Sequence, residues 1–213
     1  MPRAEDPRNN ARAPTNRARI ALAIEDRWRK QGIEAFLTRE GFEVGGRRPQ
    51  LVIADAPRPW RDIPEAFLRL HSQSPDVDIV VFVPELRYSY VEPCLRAGAL
   101  GVLHFNSEPA LILRAIEAIR RGNLWAPRNL LAKAMRGLNE PPPKSAAATA
   151  EFSFTRTERR VLSALRDELT NKEIASLLDV SVATVKFHIG HLLQKTHYAN
   201  RHQLQELVTR GPI

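Results

Sequence analysis

The stretch Asn171 to Thr196, NKEIASLLDVSVATVKFHIGHLLQKT, constrains the chain more than any other. Ile174, Ala175 and Leu178 fall on one helical stripe. Val182, Val185, Ile189 and Leu192 fall on a second, at steps of three, four and three. Asp179-Val180-Ser181 breaks the two, and Ser181 stands where its hydroxyl takes a free backbone N–H of the second helix. Two short helices with a tight turn must share one small core. The second helix then has an outward face carrying Thr184, Lys186, Phe187, His188, His191 and Lys195.

A short helix with a packed back and a basic, hydrogen-bonding front fits a DNA major groove. The surrounding words FTRTERRVL, TNKEIASLL, VSVATVKFHI, LLQKT and NRHQL resemble the C-terminal helix-turn-helix of LuxR/FixJ/NarL-type transcription regulators. The resemblance runs from Phe154 to about Val208. It implies base contacts at Lys186, Phe187 and Gly190, and backbone contacts at Asn171, Lys172, Thr184 and His188. Phe187 is larger than the family's usual aliphatic, and Gly190 has no side chain with which to reach a base. The family uses the last helix, begun by Asn200 and Arg201, for dimerisation.

Within this unit Thr155 with Glu158, and Thr170 with Glu173, stand at capping-box spacing. The domain is expected over 151–213, all α.

Residues 19–122 read as a different domain. Ile20-Leu22-Ile24, Leu51 to Ala54, Ile79 to Val83 and Gly101 to Phe105 are strands without polar alternation. Trp28 to Leu37, Pro64 to His71, Tyr88 to Ala97 and Pro109 to Arg121 are helices, Pro93 shortening or kinking the third and Gly122 closing the fourth. Buried strands separated by helices form a parallel α/β sheet. LRAGALGVLHF and PQLVIADAP are similar to segments of the flavodoxin-like receiver domain of response regulators.

That resemblance implies phosphoryl transfer to an aspartate with an acid pair holding Mg²⁺, a hydroxyl residue and a lysine. Asp55 lies at the acceptor position. Glu25 and Asp26 lie near the acid pair, with at least one of them in register. The hydroxyl position falls on Val83 and the lysine position on Phe105, beside His104, and an aromatic ring gives no cationic hydrogen bond. Asp55 with Glu25 and Asp26 is therefore expected to be vestigial. Only six residues, Gly45 to Gln50, follow the second strand, Phe42 to Val44, before Leu51. A parallel crossover usually takes a dozen or more, so the second helix is expected to be missing and the second strand missing, short or irregular.

The ends and joints have their own composition. Residues 1–18 hold three prolines and several arginines and read as a disordered basic tail. Residues 123–150 read as a helix from Trp125 to Leu138 and a Pro/Ala-rich linker. The net charge of +8 favours an anionic partner. One cysteine, Cys94, excludes an internal disulfide and suits a reducing cytoplasm. It reads as a small buried group rather than a sensor. No apolar run reaches the roughly 20 residues of a membrane span. His188 and His191 lack the third ligand of a zinc site, and no nucleophile-base pair or nucleotide-binding glycine loop is present, so neither metal, cofactor nor enzyme activity is expected.

The expected function is a cytoplasmic transcription regulator bound to double-stranded DNA. Its receiver acts through homodimerisation or a protein partner such as a sensor or histidine kinase. Trp28, Trp60, Phe36 and Tyr90 are candidates for such a contact, with core packing favoured for Phe36. Two alternatives stand beside this: a phosphorylation-dependent regulator using Asp55, and a protein-interaction antagonist that binds DNA weakly.

Overall fold

The computed structural model describes residues 18–58, 62–74, 76–138, 154–196 and 198–210. The expected tail, Trp60 and the Pro/Ala-rich linker lie almost wholly outside them. The first half is a five-stranded parallel sheet in the order β2-β1-β3-β4-β5. Its strands are β1 (Arg19–Ala23), β2 (Glu43–Val44), β3 (Leu51–Asp55), β4 (Asp78–Val83) and β5 (Gly101–His104). All six residues of β4 are buried, as the unbroken apolar run requires.

Helices α1 (Arg27–Arg39), α2 (Ile63–Gln73), α3 (Tyr88–Arg96) and α4 (Pro109–Arg120) join and cover the strands. Pro93 does not end α3, which runs three residues past it. Gly122, at φ +90°, takes the left-handed turn after α4. Helix α5 (Arg128–Leu138) packs against α3.

The link between β2 and β3 contains no helix, and the register explains why six residues suffice. β2 pairs only with the first two residues of β1, Glu43 opposite Arg19 and Val44 opposite Ile20. β3 starts with Leu51 opposite the same Ile20. The chain at Val44 is thus already level with Leu51. It must step sideways across one strand, roughly 10 Å, rather than return along the sheet. Gly45 at φ +90° makes the turn, and its N–H bonds the Ile20 carbonyl at 2.8 Å.

The second half contains α6 (Arg156–Arg166), α7 (Asn171–Leu178), α8 (Val182–Thr196) and α9 (Arg201–Arg210). Both capping boxes form: Thr155 Oγ1 accepts from Glu158 N–H while the Glu158 carboxylate accepts from Thr155 N–H, and Thr170 and Glu173 repeat the arrangement. Ser181 Oγ accepts from the N–H of Thr184 at 3.0 Å. Asp179, at φ 55°, closes α7. These helices share a core of their own, in which Val161, Leu165, Ile174, Val185, Leu192 and Leu204 are buried.

Candidate nucleic-acid interface

Helix α8 divides its residues between two cores. Val185, Ile189 and Leu192 enter the core of the second half. Phe187, on the other face, is buried among the apolar residues of the first half. The face expected to point outward is therefore covered in this arrangement. Phe187 is 1% exposed and His188 2%. Thr184 and Gly190 are buried too. The reason is packing: a large aromatic and small neighbours on one face make an apolar patch, and α5 lies against it.

His188 is held by its surroundings. Burial pushes its imidazole down to about 4, so it is neutral at pH 7. Its Nε2 lies 3.3 Å from the Gly122 carbonyl, which can only accept, so the proton sits on Nε2. Gly122 also lies close to the second half: a Cβ there would stand 3.3 Å from Val180 Cγ1, a tight contact. An ion pair between Arg159 of α6 and Asp76, just before β4, adds a second tie between the halves.

Beneath α8 lies a buried carboxylate, Glu158. Its Oε1 is 2.7 Å from His191 Nδ1, and its Oε2 is 2.9 Å from Lys195 Nζ. Burial alone raises this carboxyl. The His191 hydrogen bond, the His191 and Lys195 charges and the Thr155 N–H together hold it well below the usual carboxylate range. His191 and Lys195 thus serve an internal anion, although the sequence places them on an outward face. His191 also stacks on Phe187, with ring centroids 6.3 Å apart.

The rest of the expected surface is open. Lys186 and Lys172 are exposed. With Asn171 they line one cavity of about 750 Å³. Arg201 lines it as well, donating to Asn171 Oδ1 at 2.8 Å and to the Leu169 carbonyl. The sequence reading used Arg201 only as the start of a helix; its spacing from Asn171 carries no local signal of this contact. The structure thus brings Asn171, Lys172 and Lys186 together. It places Phe187 and His188 at the covered seam, and it buries Thr184 and Gly190 beside them in sequence.

The sheet's other end carries Asp55, the last residue of β3. Its Oδ2 accepts the Glu25 N–H at 3.0 Å and pairs with the guanidinium of Arg29. That guanidinium lies over the Phe105 ring, 4.4 Å from its centroid, and 5.7 Å from that of Phe82. The Asp26 carboxylate caps α1, accepting from Arg29 N–H at 2.6 Å. Glu25 meets Asp55 through its backbone, and its residue is exposed. Sequence reasoning missed Arg29; the signal was two aromatic residues at adjacent strand ends, a surface on which a guanidinium stacks.

Residues 152–208 match the family model described as bacterial regulatory proteins, luxR family. Over 172 residues the chain is 30% identical to the nitrate/nitrite response regulator protein NarL of Escherichia coli, the match covering 79% of this chain and 77% of that one. The chain belongs to the LuxR family of bacterial regulatory proteins. It is a DNA-binding transcription regulator of the response-regulator type. Other relatives include the uncharacterized transcriptional regulatory protein YhcZ of Bacillus subtilis, 26% identical over 201 residues, covering 87% of this chain and 92% of that one. Among solved structures, the Salmonella typhimurium RcsB response regulator matches at 17% identity and a TM-score of 0.46, covering 91% of this chain and 98% of that one. No helix of the described residues is long and apolar enough to cross a membrane.

Proposed function

We propose that this LuxR-family regulator controls transcription through a receiver domain that works by packing, as a homodimer on DNA or with a protein partner, and not by aspartate phosphorylation. The observation that carries the reading is Arg29. Its guanidinium already neutralises Asp55 and rests on the ring that stands in place of the family's lysine. The residues present do not fit Mg²⁺: the Asp26 carboxylate is turned to the helix cap, and a fixed cation lies against Asp55 Oδ2. Incubation with acetyl phosphate, or with beryllofluoride and Mg²⁺, is expected to leave the intact mass and the Tm unchanged. An adduct at Asp55 that alters DNA affinity would restore the phosphorylation-dependent reading.

In the same reading Lys186, Phe187 and Gly190 meet base edges, and Asn171, Lys172, Thr184 and His188 meet the phosphate backbone. The arrangement described here is then the DNA-free one, in which α8 must leave the first half before it enters a groove. A sensor protein or histidine kinase is a partner whose contact drives that release, in the cytoplasm where the DNA is. Lys186 is the test residue because it is exposed and takes no part in either core. Lys186→Ala is expected to weaken duplex binding by roughly threefold to tenfold at moderate salt without changing the Tm. An unchanged gel-shift titration would remove Lys186 from the interface and leave the antagonist reading ahead.

A further inference from the structure

The two halves enclose a cavity of about 460 Å³ at the end of the sheet remote from Asp55, beside the starts of β1, β3 and β4 and the first turn of α6. Small-molecule sites commonly measure roughly 300–1,000 Å³. Its charge is what sets it apart. Arg19, Arg48, Arg120, Arg156, Arg159 and Arg160 line it, against Asp76 and Asp78. Arg159 is paired with Asp76, and the charge that Arg19, Arg48, Arg156 and Arg160 bring to one space is offset only in part by Asp78, which leaves room for an anion.

Asp78 is itself unusual. It is buried, and its Oδ1 has no hydrogen-bond partner. Burial, opposed by the Arg156 charge, pushes its carboxyl up to about 7. A buried acceptor without a donor destabilises a fold. A bound molecule with an N–H or O–H would remove that penalty.

The short β2–β3 link belongs to the same place. It delivers Arg48, which stands at φ 58°, a conformation that residues other than glycine seldom take. The Arg48 carbonyl accepts from Arg19 Nε at 3.1 Å, which fixes the loop to β1. The segment that replaces a crossover helix thus carries an arginine to the cavity.

We infer that the cavity binds a small polyphosphorylated metabolite of the nucleoside di- or triphosphate class, its phosphates on the arginines and a base or ribose donor on Asp78. Planar guanidinium groups suit phosphate oxygens, and Asp78 distinguishes a nucleotide from a bare polyphosphate. Because Arg19, Arg48 and Asp78 come from one half and Arg156 and Arg160 from the other, the ligand ties the halves together. It lowers DNA affinity by favouring the covered state of α8. This last effect rests on the DNA-binding reading above; ligand binding itself does not.

The test is calorimetry on the full chain with GTP, ATP, GDP and pyrophosphate in the presence of a chelator. At least one nucleotide is expected to bind at micromolar concentration, and pyrophosphate roughly tenfold more weakly. Arg160→Ala and Arg48→Asn each weaken nucleotide binding roughly tenfold or more; both residues are exposed, and asparagine tolerates the left-handed backbone at 48. Asp78→Asn removes the preference for nucleotide over pyrophosphate. The site is overturned if no probe binds at about 1 mM, if both arginine variants bind as the parent does, or if pyrophosphate binds as tightly as the nucleotides. It is equally overturned if the arginine variants lose duplex DNA binding in the absence of nucleotide, for the arginines then belong to the DNA surface. Nucleotide binding that leaves DNA affinity unchanged keeps the site and eliminates the tie between the halves.

Discussion

Residues 151–213 expressed alone are expected to bind duplex DNA roughly tenfold or more tightly than the full chain at the same salt. The segment should fold by itself because its helices share their own core, from Phe154 to Val208. What changes on removing the first half is the state of α8. In the full chain Phe187 is buried in the other domain's core, and His188 Nε2–H donates to the Gly122 carbonyl. Exposing a buried phenylalanine costs about 1.5–3 kcal/mol, which by itself holds the binding-competent population to roughly 7 per cent or less. The apparent dissociation constant of the full chain rises by the same factor. Fluorescence anisotropy with a labelled duplex measures both proteins under one condition. Equal affinities would mean that the covered face of α8 does not limit binding.

Much of this was legible in the sequence, and the reasons differ by element. The strands showed as unbroken apolar runs because both faces of a parallel sheet are covered. Ser181, Thr155 with Glu158, and Thr170 with Glu173 are local signals, complete within four residues, and each formed its cap. The six-residue link after Val44 announced the missing helix. The compensating register, with Val44 and Leu51 both opposite Ile20, needed coordinates. What stayed hidden was long-range. His188 looks solvated on a helical wheel, and nothing within α8 tells that another domain covers it or Phe187. Arg29 reads as a surface residue of α1 until Phe105 and Asp55 come beside it.

Glu158→Ala should destabilise the second half most among single substitutions there, by about 3–5 kcal/mol, the range for breaking a buried ion pair by removing one partner. Three losses coincide. The Thr155 N–H loses its 2.9 Å acceptor, so the cap of α6 is halved. Lys195 loses its 2.9 Å partner and His191 its 2.7 Å one, leaving two part-buried nitrogens of α8 without that acceptor. The contact that fixes α8 to the start of α6 disappears with them. The pH dependence separates charge from packing. Glu158 is held well below its ordinary range in the folded chain, so its contribution is fully present above about pH 4.5 and fades as pH falls below that value. Glu158→Gln keeps the shape and much of the cap but has no carboxylate. Its deficit against the parent should therefore shrink as pH falls from about 5 toward about 3. Thermal melts of the parent and both variants across that range measure this directly. A Glu158→Gln deficit that stays the same down to about pH 3 would show that the cluster acts through shape alone.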